Sequence, residues 1–363
     1  MKVVSIVGTR PNFIKLLPLA PKLEEKFDHI VIHTGQHYDY EMTQIFFESL
    51  PLPEVDYHLN LDKNWSEIQK ISEIMIQLEK ILSQIKPNLV LVYGDVNSTL
   101  AASLTASKLQ LPIGHIEAGV RLHEKLQPEE LIRIIVDNCS DLLFCPTESA
   151  LSNLKEEKIS GKCFFVGDVM LDAFLNNARL IHKSSILNQL NLKAKEYILV
   201  TIHRAENTDN ELKLEMLIDA LVDFNEISVF PCHPRTEKML KQYNLFKKIK
   251  KSKNLILLRP VNYLNFLSLL LNAKKILTDS GGVQREAYFA KVPVIILYAT
   301  PLWPEITKYG GGILANNKKM ILDALQNFKG VAKRAGYGFG DGHAAEKIVQ
   351  IIEENLPLKN LIN

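Results

Sequence analysis

Two carboxylates stand where short apolar runs stop, and a third opens a helix. Asp95 follows "LVLVYG", Glu117 follows "PIGHI", and Glu129 sits behind Pro128 at a helix start. Acids gathered at one rim of a sheet beside cations make sense when a proton must be moved, so these three are the candidate acid-base set. In the same stretch, "HIEAGVRLHEKLQPEELIR", Glu124 and Glu130 are expected as surface or helix-capping charges.

A second group of residues suits an anion. In "GTRPNFIK" a glycine turn leads to a helix opened by Pro11, and Arg10 and Lys15 add positive charge facing a ligand. In "LTDSGGVQREA" the run Ser280, Gly281, Gly282 predicts a cradle of backbone amides for a diphosphate, with Glu286 one turn on to accept from ribose hydroxyls. His203 and Arg204 in "TIHRAEN" end another apolar run. An imidazole there can donate to a leaving phosphate, and Arg204 can pair with phosphate or with Glu206. His233 and Arg235 in "FPCHPRTE" repeat that pattern. The first turn lacks the GxGxxG spacing, which argues against tightly held NAD.

The elements that must position these residues are legible as two series. The runs "VVSIVG", "HIVIHT", "LVLVYG", "PIGHIEAG" and "LLFCPT" are followed, after "FFVGD", by "YILVTIH", "ISVFPCHP", "LILLRP", "KILTDS" and "PVIILY". Continuous β-branched runs predict strands buried on both faces of parallel sheets. Between them "FIKLLPLAPKLEEKF", "SEIQKISEIMIQLEKILSQI", "NELKLEMLIDALVDF" and "YLNFLSLLLNA" have helical spacing. The alternation predicts an α/β protein of two Rossmann-like domains, 1–168 and 169–344, with a C-terminal helix at 345–363 packing back on the first. Ligands of such sheets lie beyond the strand carboxyl ends, here in the cleft between domains.

Bulk properties agree. A chain of 363 residues exceeds what one core usually serves, and a formal net charge of +2 gives no footprint for nucleic acid. Cys139, Cys145, Cys163 and Cys232 lack metal or disulfide spacing, which predicts reduced thiols in a cytoplasmic protein and no metal site. No apolar run is long enough for a membrane span.

The motifs "GTRPNFIK", "GDVNSTLA", "HIEAGVR", "PEE", "CPTE", "GDVMLDA", "HRAEN", "HPRT", "DSGGVQREA" and "YGFGDGHA", in that order from residue 8 to beyond 344, together resemble the non-hydrolysing UDP-N-acetylglucosamine 2-epimerases. The resemblance implies a GT-B type fold, a homodimer, no nicotinamide or other cofactor, and a UDP-sugar held mainly by the second domain. It implies Asp95, Glu117 and Glu129 as the acid-base set, His203 near the leaving phosphate, Arg10, Ser280, Gly281 and Gly282 at phosphate, and Glu286 at ribose. Lys15, Arg133, Arg204 and His233 join the substrate-binding set.

The chain also departs from the pattern. Ile132 replaces the asparagine of "PEExNR", although Arg133 is retained, and "YATPLWPE" has Tyr298 and Leu302 where an arginine and a glutamate are usual. Ala205 stands where many bacterial members have arginine, and "NWSEIQ" lacks a basic residue found in regulated members, which argues against activation by substrate. Features such as "HTGQHYD" also resemble the branch acting on UDP-2,3-diacetamido-glucuronate, so the sugar stays open between the two. Hydrolysing relatives carry arginine and glutamate after "GD" where this chain reads "VNST". A GT-B glycosyltransferase and a nucleotide-sugar-binding protein without catalysis remain as alternatives.

Overall fold

The computed structural model describes residues 1–36, 53–62, 64–124, 127–330 and 336–356. Residues 37–39 of "HTGQHYD" and the chain end, 357–363, lie outside them. The chain divides into two compact units, Met1–Ala173 with Gly338–Asn363, and Phe174–Tyr337.

In the first unit β1 (Lys2–Val7), β2 (Asp28–His33), β3 (Tyr57–His58), β4 (Leu89–Tyr93), β5 (Ile113–Ile116), β6 (Leu142–Cys145) and β7 (Lys162–Phe165) form a seven-stranded parallel sheet ordered β3-β2-β1-β4-β5-β6-β7. Every residue of β4, β5 and β6 is buried, which is why their sequences lack alternation. The order reverses between β1 and β4, so the loops that follow these strands diverge to opposite faces and open a crevice at their carboxyl ends. Gly8 to Arg10 and Gly94 to Asp95 are those loops.

One face of the sheet is covered by Glu67–Ile85, whose Ile74, Leu78, Leu82 and Ile85 repeat at helical spacing and pack on Val4, Ile6, Val90 and Val92. Ser66 caps this helix by accepting from the Gln69 N–H at 3.2 Å, and Gln69 Oε1 accepts the Ser66 N–H at 2.8 Å. The segment "FIKLLPLAPKLEEKF" gives two helices, Arg10–Leu16 and Ala20–Glu24, because Pro18 cannot continue the first. The last described helix, Ala344–Asn355, belongs to this unit. Asp172 accepts its first N–H groups, from Ala344 and Ala345, at 3.2 and 2.8 Å, and Lys22 bonds Glu346 at 2.8 Å.

In the second unit β8 (Ile198–Thr201), β9 (Ser228–Pro231), β10 (Leu255–Leu258), β11 (Lys275–Thr278), β12 (Val294–Ile296) and β13 (Gly312–Leu314) form a six-stranded parallel sheet ordered β10-β9-β8-β11-β12-β13. Its core joins Ile198, Val200 and Leu277 to Leu214, Leu217 and Leu221 of the helix Glu211–Asp223. Here the order reverses between β8 and β11, and the loops at that point carry His203–Arg204 and Asp279–Ser280.

Candidate active site

In the first unit, Asp95 and Glu117 leave the ends of β4 and β5, which are direct neighbours. Glu117 has φ +77°, a left-handed conformation that costs a non-glycine residue about 1–3 kcal/mol and is retained where surrounding structure over-determines it. Its N–H reaches Phe144 O at 3.2 Å, and its Oε1 meets Lys15 Nζ at 3.0 Å with both side chains almost wholly buried. Lys15 was expected to face an anion; it is instead turned inward onto Glu117. The approach exists because Gly94 has no side chain: a Cβ there would lie 2.6 Å from Lys15 Nζ.

Arg133 differs from expectation in the same way. It is 3% exposed, and its guanidinium is spent on Asp95 Oδ2 and, at 2.7 and 3.0 Å, on Glu130 Oε2, so it holds carboxylates rather than presenting a cation to substrate. Glu130 is no surface charge either: it is 2% exposed and accepts the Leu122 and His123 N–H groups at 3.0 and 2.8 Å, fixing the loop that leads into Pro128–Cys139. Burial pushes the Glu130 carboxyl upward, but the Leu122 and His123 amides and Arg133 outweigh it and hold the group below the usual range. Glu129, one residue earlier, is half-buried, and Glu124 is half-buried with its Oε2 accepting from Gln127.

The turn at Gly8 is not an open cradle. Asn12 Oδ1 accepts the Gly8 and Thr9 N–H groups at 3.2 and 3.1 Å, and Asn12 Nδ2 bonds Tyr93 O at 2.8 Å, so those amides tie β1 to β4. Arg10, half-buried, supplies the charge of this loop.

The second unit does present free amides. Ser280 caps Gly281–Phe289 through a 3.4 Å bond from the Val283 N–H, and among the described residues the Gly281 and Gly282 N–H groups have no partner. A Cβ at Gly281 would meet Leu302 Cδ2 at 3.0 Å, Trp303 Nε1 at 3.4 Å and Arg204 Nη2 at 4.0 Å, so these three side chains ring the helix start. The departures Tyr298 and Leu302 thus stand at the cradle: Arg204 lies over the Tyr298 ring at 5.1 Å. Glu286 is buried and accepts from the Tyr263 hydroxyl at 2.7 Å, which fixes its carboxylate orientation.

His203 follows β8 with its side chain 36% exposed, and its ring lies 5.5 Å from that of His233, which caps Pro234–Gln242 by accepting the Arg235 N–H on Nδ1 at 3.1 Å. Sequence reasoning missed the residue that holds this turn. Asp279 is fully buried, accepts the N–H groups of His203 and Arg204 at 3.0 Å each and the Asn207 amide at 2.9 Å, and lies 3.6 Å from His203 Nδ1. Its signal was its place, an acid at a strand end directly before Ser280. Among the described residues no group of three or more His, Cys, Asp or Glu side chains could hold a metal ion, and no helix is long and apolar enough to cross a membrane.

Against known proteins, residues 21–353 match the family model described as UDP-N-acetylglucosamine 2-epimerase. A Methanococcus maripaludis protein named UDP-N-acetylglucosamine 2-epimerase homolog is 48% identical over 97% of this chain and 99% of its own. A Pseudomonas aeruginosa UDP-2,3-diacetamido-2,3-dideoxy-D-glucuronate 2-epimerase is 37% identical over 97% of this chain and 99% of its own. The crystal structure of Methanocaldococcus jannaschii UDP-GlcNAc 2-epimerase in complex with UDP-GlcNAc and UDP superposes with a TM-score of 0.91 at 41% identity, covering 98% of this chain and all of that one. With strand ends that carry acids in one unit and an amide cradle in the other, and with matches of this extent, the chain belongs to the UDP-N-acetylglucosamine 2-epimerase family.

Proposed function

We propose that the protein inverts C2 of a UDP-N-acetylhexosamine, interconverting UDP-GlcNAc and UDP-ManNAc. The observation that carries this is the pair Asp95 and Glu117, on adjacent strand ends and each held by a buried cation. Of the Asp95 oxygens only Oδ2 is engaged among the described residues, and its side chain is 27% exposed, so a carboxylate oxygen remains for a proton.

The reaction starts at C1, because no carbonyl acidifies the C2 proton. The C1–O bond to the β-phosphate breaks and its electron pair leaves with UDP, giving an oxocarbenium-like sugar. A carboxylate of the Asp95, Glu117 and Glu129 set takes the C2 proton and the electrons of that C–H bond form a C1–C2 double bond, a glycal. Return of a proton to the opposite face of C2 and of the phosphate oxygen to C1 completes the inversion. Protons are moved on two faces, which one side chain would serve badly. The amides of Gly281 and Gly282, the Ser280 hydroxyl and Arg204 stabilise the diphosphate as negative charge grows, and His203 donates to the leaving oxygen with His233 beside it. Glu286 accepts from ribose. The cycle is redox-neutral and calls for no nicotinamide.

A second sugar is supported by a particular observation: the relative acting on UDP-2,3-diacetamido-2,3-dideoxy-D-glucuronate matches nearly end to end, and Tyr298 and Leu302 replace two charges beside Gly281. A homodimer is supported by exposed Ile68, Ile76 and Leu131, which lie on two of the helices covering the first sheet. Four free cysteines support a cytoplasmic setting.

Incubation with UDP-GlcNAc in deuterated water tests the reading. Deuterium at C2 of recovered UDP-sugar is expected. Free hexosamine with UDP would mean hydrolysis instead, transfer only on addition of an acceptor would mean a glycosyltransferase, and exchange confined to the diacetamido-glucuronate substrate would select that branch. Asp95→Asn and Glu117→Gln should each slow exchange by about 10²–10⁴-fold while UDP still binds.

A further inference from the structure

His115 lies in β5 two residues before Glu117 and is completely buried. Its Nε2 is 2.9 Å from Gly94 O, and a carbonyl oxygen only accepts, so Nε2 carries the hydrogen of that bond. The carbonyl belongs to the peptide that bears the Asp95 nitrogen. The other ring nitrogen, Nδ1, is 2.6 Å from Asp137 Oδ1 on the helix Pro128–Cys139. Asp137 Oδ2 accepts from the Gly119 N–H at 3.1 Å and from Arg121 Nη1 at 2.7 Å, and Arg121 grips Glu157 through two bonds of 2.8 and 2.6 Å. Burial works to raise the Asp137 carboxyl, but the His115 ring and the Arg121 guanidinium more than offset it and hold the group below its usual range. Facing an ionised carboxylate, Nδ1 donates as well.

This one buried chain therefore ends on two turns. Through Gly94 it holds the turn that presents Asp95, and through Gly119, φ +80°, it holds the turn that carries Glu117 in its left-handed conformation. Neither end touches the carboxylates themselves.

We infer that His115 and Asp137 act as positioning residues, a clamp that fixes the spacing of Asp95 and Glu117 for proton transfer. The inference rests on the 2-epimerase reading for the step it serves. The clamp adds to the sheet because the two turns follow different strands and each leaves the sheet through a left-handed residue, Gly94 or Glu117. Backbone pairing ties the strands up to Tyr93 and Ile116, with the Gly94 N–H on Ile116 O at 2.9 Å, and stops there; beyond it the side chains of Asp95 and Glu117 depend on how the turns are held, and a misplacement of about 1 Å is enough to cost about 10²-fold in rate.

The test compares His115→Phe, Asp137→Ala and Asp137→Asn in the full chain, reading kcat and KM for C2 exchange in UDP-GlcNAc, UDP affinity by calorimetry, and the imidazole protons of 15N-histidine-labelled protein by NMR. Phenylalanine keeps a ring and loses both donors; kcat should fall about 10²-fold with KM within threefold and UDP affinity unchanged. Asp137→Ala should do the same. Asp137→Asn should stay within tenfold of wild type, because a carboxamide can still accept from Gly119 or Arg121 and donate to Nδ1, leaving Nε2–H on Gly94. Retention of kcat within threefold in His115→Phe, or an equal loss in both Asp137 variants, would overturn the inference. If the phenylalanine variant does not fold, the wild-type spectrum decides: slowly exchanging protons on both nitrogens of His115 are expected, and a single ring proton would overturn the clamp. Wild-type protein that shows both protons yet exchanges no UDP-sugar would retire the functional reading and leave the clamp as a hydrogen-bonded device.

Discussion

Gly94→Ala tests the link between backbone and charge at the candidate active site. The glycine has φ +63°, where an added Cβ costs about 1–2 kcal/mol, and that Cβ would lie 2.6 Å from Lys15 Nζ, well inside contact distance. Lys15 must then retreat from Glu117. The pair is buried, with side chains 4% and 9% exposed, and breaking such a pair by disabling one partner costs about 3–5 kcal/mol. Because the lysine end can bend, only part of that is lost, and the total should fall at about 2–5 kcal/mol. For a unit of this size the melting temperature should drop by about 4–20 °C, and exchange at C2 should slow by about 10²-fold as Glu117 shifts. Denaturant titration and the deuterium assay read both quantities. The decisive comparison repeats Gly94→Ala in a Lys15→Ala background, where the clash is gone and only the conformational cost of about 1–2 kcal/mol remains. Equal costs in the two backgrounds would refute the argument that the missing Cβ makes room for the ammonium.

Gly282→Ala should behave in the opposite sense: a Cβ there meets nothing closer than Ser280 Oγ at 3.9 Å, so stability should hold or rise by up to about 1 kcal/mol, while a methyl in the cradle should weaken UDP binding by about tenfold or more, read by calorimetry. His29 is lowered from 6.5 to about 4 by burial, against the pull of Asp56. The unfolded chain therefore takes up a proton near pH 6.5 that the folded chain refuses until about pH 4, so up to about 3 kcal/mol present above pH 6.5 should be lost between those values, and His29→Gln should flatten that part of a stability-versus-pH curve.

How much of this was legible in the sequence depends on burial and on chain distance. The runs read as strands are mostly the inner ones, buried on both faces, together with β2 and β10 towards the edges. β3, β7 and β13 were not read, and all three are edge strands of two to four residues with exposed or half-exposed positions: β3 is the polar pair Tyr57–His58, and β7 and β13 carry only the short apolar runs "CFFV" and "ILA". The chemistry-bearing residue types were readable because parallel α/β sheets deliver them at strand ends. Their partners were not. Lys15 with Glu117, Arg133 with Asp95, and His115 with Asp137 meet only once the sheet order is known. Glu129 and Glu130 are a case where local geometry does not decide: at four and three residues from Arg133 both lie on its side of the helix, and only the three-dimensional structure shows that Glu130 takes the guanidinium.

Glu117 carries the last of the argument, because its conformation and its chemistry pull in different directions. At φ +77° a glycine would be preferred on backbone grounds, yet a glutamate is kept there and its carboxylate is tied to a buried ammonium. If the strain is tolerated for the carboxylate, then variants that lack the carboxylate should reveal it. Glu117→Gly and Glu117→Ala remove the same charge and leave the same Lys15 without its partner, so that cost cancels between them. What remains is the left-handed φ less the extra freedom glycine has when unfolded. The first is about 1–2 kcal/mol and the second about 0.4–1 kcal/mol, so Glu117→Gly should be the more stable of the two by about 0.5–1 kcal/mol, and neither should exchange the C2 proton. An alanine variant at least as stable as the glycine variant would show that the turn relaxes at no cost, and the case for a residue held in place for its function would lose its physical basis.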